Sequence, residues 1–65
     1  MNKAEIGAAI AERRRTLHIS QGRLAELSGV SVHTISDLET GRGNITLETL
    51  LKIAATIGYR VSVGV

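Results

Sequence analysis

Apolar residues Ile6, Ala9, Ile10 and Leu17 recur at helical spacing, with Arg14 on a similar face and Glu12, Arg13 and Arg15 off the stripe. The spacing predicts an amphipathic helix over 4–17. His18 and Ile19 form a short connection. Ser20 is suited to cap a second helix beginning at Gln21, because its hydroxyl accepts an orphan backbone N–H. Leu24, Ala25, Leu27 and Ser28 continue that helix, and Gly29 supplies a left-handed stop that a Cβ would make costly. Ser31 is a second cap, followed by Val32, Ile35 and Leu38, the apolar positions of a third short helix over 32–39.

The stretch Thr40-Gly41-Arg42-Gly43-Asn44 is loop chemistry, since Gly and Asn tolerate positive φ. Thr46 caps a fourth helix with Glu48 in its first turn, where a carboxylate favours the helix dipole. Leu47, Leu50, Leu51, Ala54 and Ile57 are its expected apolar face, and Gly58 ends it. From Tyr59 the period changes from helical to alternating: Val61, Val63 and Val65 point one way, with Arg60, Ser62 and Gly64 between them. That pattern predicts a short strand over 59–65 with no mate in an otherwise helical chain. Its backbone groups go to water or to another chain. Among fraying, packing within the chain and pairing across a dimer, pairing is the reading preferred here, because lone strands are unstable.

Composition narrows the possibilities. The chain has 65 residues and reads as one domain, 1–65, helical over 4–58. A chain of this size buries only about 60% of the surface its unfolded form exposes; such domains fold alone but marginally, so a partner subunit would help. The absence of Cys excludes disulfides, thiolate metal sites and Cys nucleophiles, and is compatible with a reducing compartment. No apolar run approaches the ~20 residues of a membrane span. The N-terminal stretch carries Glu5 and Glu12 and no apolar signal-type core, so the expected location is cytoplasmic, with no membrane partner. One Tyr and no Phe or Trp argue against modules that stack RNA or single-stranded bases on aromatic rings. His33 has no second His at helical spacing and the chain has no Cys, so no metal is expected. Paired carboxylates, a Ser–His–Asp arrangement and a phosphate-cradling Gly loop are lacking, so the expectation is a non-enzyme without cofactors.

The informative segment is Gln21–Thr40, QGRLAELSGVSVHTISDLET. Helix-turn-helix geometry needs a small residue where two helices cross, a Gly at the turn, and apolar residues locking the second helix onto the first. Ala25, Gly29 and the pair Ile35 and Leu38 fill those roles, with Leu24 and Val30 as partners.

The stretch ISQGRLAELSGVSVHTISDLETGRG resembles the core of the Cro/repressor-type, or XRE-like, helix-turn-helix domains. Arg14 upstream and TLETLLKIAATIG downstream resemble the flanking helices of that family. The resemblance implies a mainly α, lambda-repressor-like domain of four to five helices, with a short C-terminal strand paired across a dimer. It also implies that Gln21 acts in phosphate contact and helix positioning, and that Arg14 and Glu39 form a structural ion pair. The run N-x-T-L-x-T-L-x-K-I followed by the valine-rich tail is similar to HipB-like antitoxins, which pair two C-terminal strands across a dimer axis. In that likeness Val61, Val63 and Val65 are the dimer strand.

In such a fold the third helix enters the major groove of double-stranded DNA. With Ile35 and Leu38 buried, Val32, His33, Thr34, Ser36 and Asp37 remain as base-reading candidates. Val32 suits a thymine methyl or is a plain exposed apolar residue. His33 suits guanine N7, and Thr34 and Ser36 bond either base partner or phosphate. Asp37 accepts from cytosine N4, caps, or repels the backbone. Helix 32–39 carries no Arg, Lys, Asn or Gln, so base discrimination is expected to be modest or assisted by DNA shape. Phosphate contact falls to Gln21, Arg23, Ser31 and Arg42, with Arg13 and Arg15 either a solvated face or further contributors. The net charge of +2 is weak by itself; its placement beside the motif is more informative. The expected function is a dimeric, sequence-specific repressor on a palindromic operator. The alternative is an antitoxin whose main partner is a toxin protein and which represses its own operon.

Overall fold

The structure is a computed structural model that describes residues 1–62. Four helices follow in chain order: α1 (Lys3–Thr16), α2 (Gln21–Ser28), α3 (Val32–Glu39) and α4 (Leu47–Thr56). Their ends are set by local chemistry. Ser20, Ser31 and Thr46 each accept a hydrogen bond from the backbone N–H three residues on, at 3.0, 3.1 and 3.1 Å. Asn2 does the same for α1, accepting from Glu5 N at 2.9 Å, while Glu5 Oε1 accepts from Asn2 N at 3.1 Å. This reciprocal capping box starts the helix at Lys3.

Gly29 stops α2 at φ 71°, and Val30 N–H then donates to Ala25 O at 3.0 Å, satisfying a carbonyl the helix leaves open. The end of α1 uses the same geometry at a less suitable residue. His18 has φ 57°, with its N–H donating to Arg15 O at 2.9 Å. A side chain in that region is strained, where glycine is not.

The core joins all four helices. Ile10 of α1, Leu24 and Ala25 of α2, Ile35 and Leu38 of α3, and Ile53 and Ala54 of α4 with Ile57 just beyond form one buried cluster. Leu24, Ile35, Ile53 and Ile57 are fully buried, each stabilising the fold by about 1.5–3 kcal/mol relative to an exposed side chain. Gly7 lets α1 close onto the end of α3: a Cβ there would overlap the Leu38 carbonyl. Ser28, though polar, is buried because its hydroxyl donates to Leu24 O at 2.5 Å.

The α4 face matches the expected one at Leu50, Ala54 and Ile57 and departs from it at Leu47 and Leu51. Leu47 is 64% and Leu51 43% exposed, while Ile53 is fully buried. Side chains at 47 and 51 share one stripe of a helix, and α4 is rotated so that Ile53 joins Ala54 and Ile57 against the cluster that includes α2. Leu17, expected on the apolar stripe of the first helix, is instead its exposed C-cap residue.

The expected C-terminal strand does not form among the described residues. Tyr59 N–H donates to Ala54 O at 2.8 Å, so the tail begins by closing the carboxyl end of α4. Residues 60–62 carry no helix or strand, and Val61 is exposed. A strand needs an edge to pair with, and the described residues offer none. Val63 and Val65 lie outside the described residues. Among the described residues, no helix is long and apolar enough to cross a membrane.

Candidate nucleic-acid interface

The motif segment builds a rigid corner. Ala25 and Leu24 face Ile35 and Leu38 inside the core, so the turn at Gly29 carries α3 across α2 with one side of α3 committed inward. The other side faces solvent. Val32 is 52% exposed and the His33 side chain 83% exposed. Ser36 and Asp37 are half-buried beside them.

The reading candidates divide by their present hydrogen bonding. Thr34 is half-buried, and its hydroxyl lies 3.0 Å from Ser31 Oγ. Both groups are thus engaged at the start of α3. His33 Nε2 stands 3.2 Å from Asp37 Oδ2, one turn along the helix. Asp37 also packs beside Gly43, and its carbonyl accepts from Arg42 N–H at 2.8 Å. The sole acid on the outer face of α3 therefore sits between a histidine and the loop that bears Arg42. Thr34, Asp37, Arg42 and Asn44 line a shallow cleft of about 90 Å³ at this corner.

The loop itself is pinned from a distance. Lys3 Nζ donates to Gly43 O at 2.6 Å and to Asn44 Oδ1 at 2.8 Å. Nothing in the local sequence signals this tie, because its partners are 40 positions away. It holds the exposed Arg42 at a fixed place beside the end of α3.

The phosphate candidates are also distributed unevenly. Arg23 is half-exposed and pairs with Glu26 on the outer side of α2. Gln21 points the other way: its Nε2 donates to Glu39 Oε1 at 3.0 Å. Arg13 reaches the far end of the molecule. Its Nε donates to Ile57 O at 2.9 Å, beyond the end of α4, and its guanidinium lies 5.9 Å from the Tyr59 ring centre. Arg15 is exposed.

Arg14 and Glu39 lock α1 to the end of α3. Arg14 Nε donates to Glu39 Oε2 at 2.7 Å and Nη2 donates to Oε1 at 3.0 Å, a two-pronged pair. Arg14 Nη1 also donates to Ile19 O at 2.8 Å, across the α1–α2 connection. The hydrogen bond to Glu39 is the main reason the Arg14 guanidinium is held above its ordinary value, against the opposing effect of burial. For Glu39, burial pushes the carboxyl up, but the hydrogen bonds from Arg14 and Gln21, with the charges of Arg14 and Arg15, outweigh it and hold the group below its usual range.

The three residues Gln21, Arg14 and Glu39 thus tie the starts and ends of α1, α2 and α3 together behind the exposed face. Asn2, Lys3, Gly7 and Ile53 contribute to the same frame and were not singled out by the sequence pattern. Two of them leave a local signal: N-x-x-E before a helix is a capping pattern, and a Gly inside a helical period marks a close approach.

Comparison with known proteins agrees with this architecture. Over 50 residues the chain is 46% identical to an uncharacterized HTH-type transcriptional regulator of Haemophilus influenzae, covering 77% of this chain and 51% of that protein. It is 45% identical over 56 residues to the HTH-type transcriptional regulator DdrOP3 of Deinococcus deserti, covering 80% of this chain and 43% of that one. The chain spans about half the length of these curated relatives. Among solved structures, the restriction-modification controller protein C.AhdI of Aeromonas hydrophila superposes with a TM-score of 0.81 at 30% identity, covering 88% of this chain and 83% of that chain. The helix-turn-helix family pattern matches residues 10–63, and with the Gly29 corner and the solvent-facing side of α3 in place, the chain belongs to the helix-turn-helix family.

Proposed function

We propose that this chain is a sequence-specific DNA-binding transcription regulator, acting as a dimer that represses from a palindromic operator. One observation carries the reading. The outer face of α3 presents Val32 and His33 to solvent while Ile35 and Leu38 lock its inner face to α2. A helix held in that way enters the major groove with its N-terminal residues toward the base edges. The relatives named as transcriptional regulators support the same reading.

In this mechanism no bond is made or broken. Val32 contacts a thymine methyl, His33 a base edge, and Ser36 and Asp37 supply secondary polar contacts. Arg42 and Arg23 contact phosphates on either side of the corner, and the amino-terminal ends of α2 and α3 add their backbone N–H groups and helix dipoles. Ser31 and Gln21 act chiefly by fixing helix positions, since both are already hydrogen-bonded within the protein. Two copies place their α3 helices in successive major grooves about 34–36 Å apart. Occupancy of the operator then excludes polymerase.

The test is selection of bound duplexes from a randomised double-stranded library, followed by affinity measurement on the recovered sequences. Recovery of an inverted repeat whose centre-to-centre spacing is about 10 base pairs is the expected result. Failure to enrich any sequence above the starting pool, with the folded protein present, overturns the reading.

A further inference from the structure

His33 and Asp37 stand one turn apart on the outer side of α3, with Asp37 Oδ2 3.2 Å from Nε2 of the ring. The two side chains differ in freedom. His33 is 83% exposed, whereas Asp37 is 33% exposed and lies against the loop that follows the helix. Gly43 makes room for it: a Cβ at that position would come within 3.4 Å of Asp37 Oδ2. Gly43 is held in turn through its carbonyl, which accepts from Lys3 Nζ at 2.6 Å. The carboxylate is therefore the fixed member of the pair, and the imidazole is the one that adjusts. A neutral imidazole carries one N–H and one bare nitrogen, and its neighbours decide which is which. A carboxylate oxygen at 3.2 Å repels a lone pair on Nε2 and favours a proton there. Nδ1 is then left as an acceptor.

We propose that Asp37 positions His33 with its proton on Nε2, so that Nδ1 accepts from the exocyclic amine of an adenine or a cytosine and His33 does not read guanine. The inference rests on the DNA-binding function proposed above and assigns the class of base that one contact selects. In the major groove adenine and cytosine present amine donors, whereas guanine presents N7 and O6 and thymine O4, all acceptors. A bare ring nitrogen meets the first pair favourably and the second with two lone pairs opposed. Composition alone leaves His33 suited to guanine N7; its neighbour one turn along the helix reverses that assignment.

The rest of the face points the same way. Helix α3 carries no Arg, Lys, Asn or Gln, the side chains with fixed donors for guanine. The Thr34 hydroxyl is engaged with Ser31 Oγ at 3.0 Å, and Ile35 and Leu38 are buried. Ser36 is left as an adjustable hydroxyl that donates or accepts. The fixed polar atoms turned outward are thus acceptors, the Asp37 carboxylate and His33 Nδ1, and acceptors match amines.

The test uses the duplex recovered by selection, at about pH 8 where an imidazole is ordinarily neutral, with one functional group removed at a time. Purine in place of adenine, or pyrimidinone in place of cytosine, deletes the amine. Deazapurines that lack N7 delete the acceptor and keep the base pair. At one position of each half-site, amine deletion is expected to cost the wild-type chain about three- to tenfold more affinity than it costs His33→Ala. Comparison with His33→Ala cancels the weakened base pairing that amine deletion brings. Deleting N7 costs the two proteins alike. Asp37→Ala should lose the extra amine cost at that same position yet bind random duplex more tightly, since a negative charge has left the neighbourhood of the phosphates. A variant that merely folds poorly loses both. In the free protein, imidazole nitrogen shifts should report the proton of His33 on Nε2, with a larger Nδ1–H share in Asp37→Ala. An N7 deletion whose cost disappears in His33→Ala, the absence of any His33-dependent amine cost, or an amine cost that persists in Asp37→Ala overturns the proposal and leaves the DNA-binding function standing. Selection that enriches no duplex sinks that function, and this contact with it.

Discussion

Arg14 and Glu39 form a two-pronged ion pair at 2.7 and 3.0 Å, between the last turn of α1 and the end of α3, with side chains only 11% and 4% exposed. Glu39 also accepts from Gln21 at the start of α2. Three helices thus meet at one carboxylate. Replacing it leaves a guanidinium in a largely dry place without its partner. Glu39→Ala is expected to cost about 3–5 kcal/mol, enough to unfold much of a small domain, read by urea titration of the variant against wild type.

The same carboxylate gives acid sensitivity. Its folded-state affinity for protons is depressed below the ordinary glutamate value of 4.5, so the unfolded chain protonates first as pH falls. The contribution is complete above that value and declines as pH drops through it toward the folded value. Unfolding free energy of wild type is expected to fall as pH drops below about 5, and Glu39→Gln, less stable at neutral pH, should show a shallower decline. Equal slopes for the two proteins would remove Glu39 from the account.

Gly7 is expected to tolerate no side chain. Gly7→Ala places a methyl on the Leu38 carbonyl, so α1 must shift away from α3 and loosen the Arg14–Glu39 contact. Against the usual gain of replacing a helical Gly by Ala, overpacking costs about 1–3 kcal/mol. A thermal melt of the variant should show a lower midpoint; a higher one contradicts the close crossing.

His18 offers the opposite case. At φ 57° its side chain occupies a region where glycine is unstrained. His18→Gly should relieve about 1 kcal/mol and raise the midpoint by roughly 4–8 °C. A fall in the midpoint would mean that the imidazole makes a compensating contact.

On α4 the exposed and buried positions separate cleanly. Ile53→Ala is expected to cost about 2–5 kcal/mol, whereas Leu47→Ala changes stability by less than about 0.5 kcal/mol. Urea midpoints at low protein concentration distinguish the two.

For nucleic acid, Arg42→Ala should weaken binding to all duplexes alike and lower the salt slope by about 1, since it removes one phosphate contact. His33→Ala should instead change which base is preferred at one position of each half-site. Unchanged affinity of Arg42→Ala at low salt would remove it from the phosphate contacts.

The helix boundaries were legible because they are local. Ser20, Ser31 and Thr46 cap, and Gly29 stops, through hydrogen bonds that span three to five residues. The corner of Ala25, Gly29, Ile35 and Leu38 was legible for the same reason, since its parts lie close in sequence and each needs a particular residue type. What the sequence could not decide was the rotation of α4. Leu47, Leu50, Leu51 and Ile53 are all apolar, and periodicity alone does not say which stripe meets the core. Docking against the cluster around Leu24 and Ile10 chose Ile53 and left Leu47 and Leu51 in water. The tail was undecided too, because a strand is a property of a pair and not of a segment. The Lys3 tie to the loop at 43–44, the Arg13 cap on α4 and the Gly7 crossing are likewise contacts between residues far apart in the chain. Local chemistry determined the elements and the candidate reading helix; tertiary packing alone decided which faces are hidden and which are left exposed, because it depends on contacts between residues far apart in the chain.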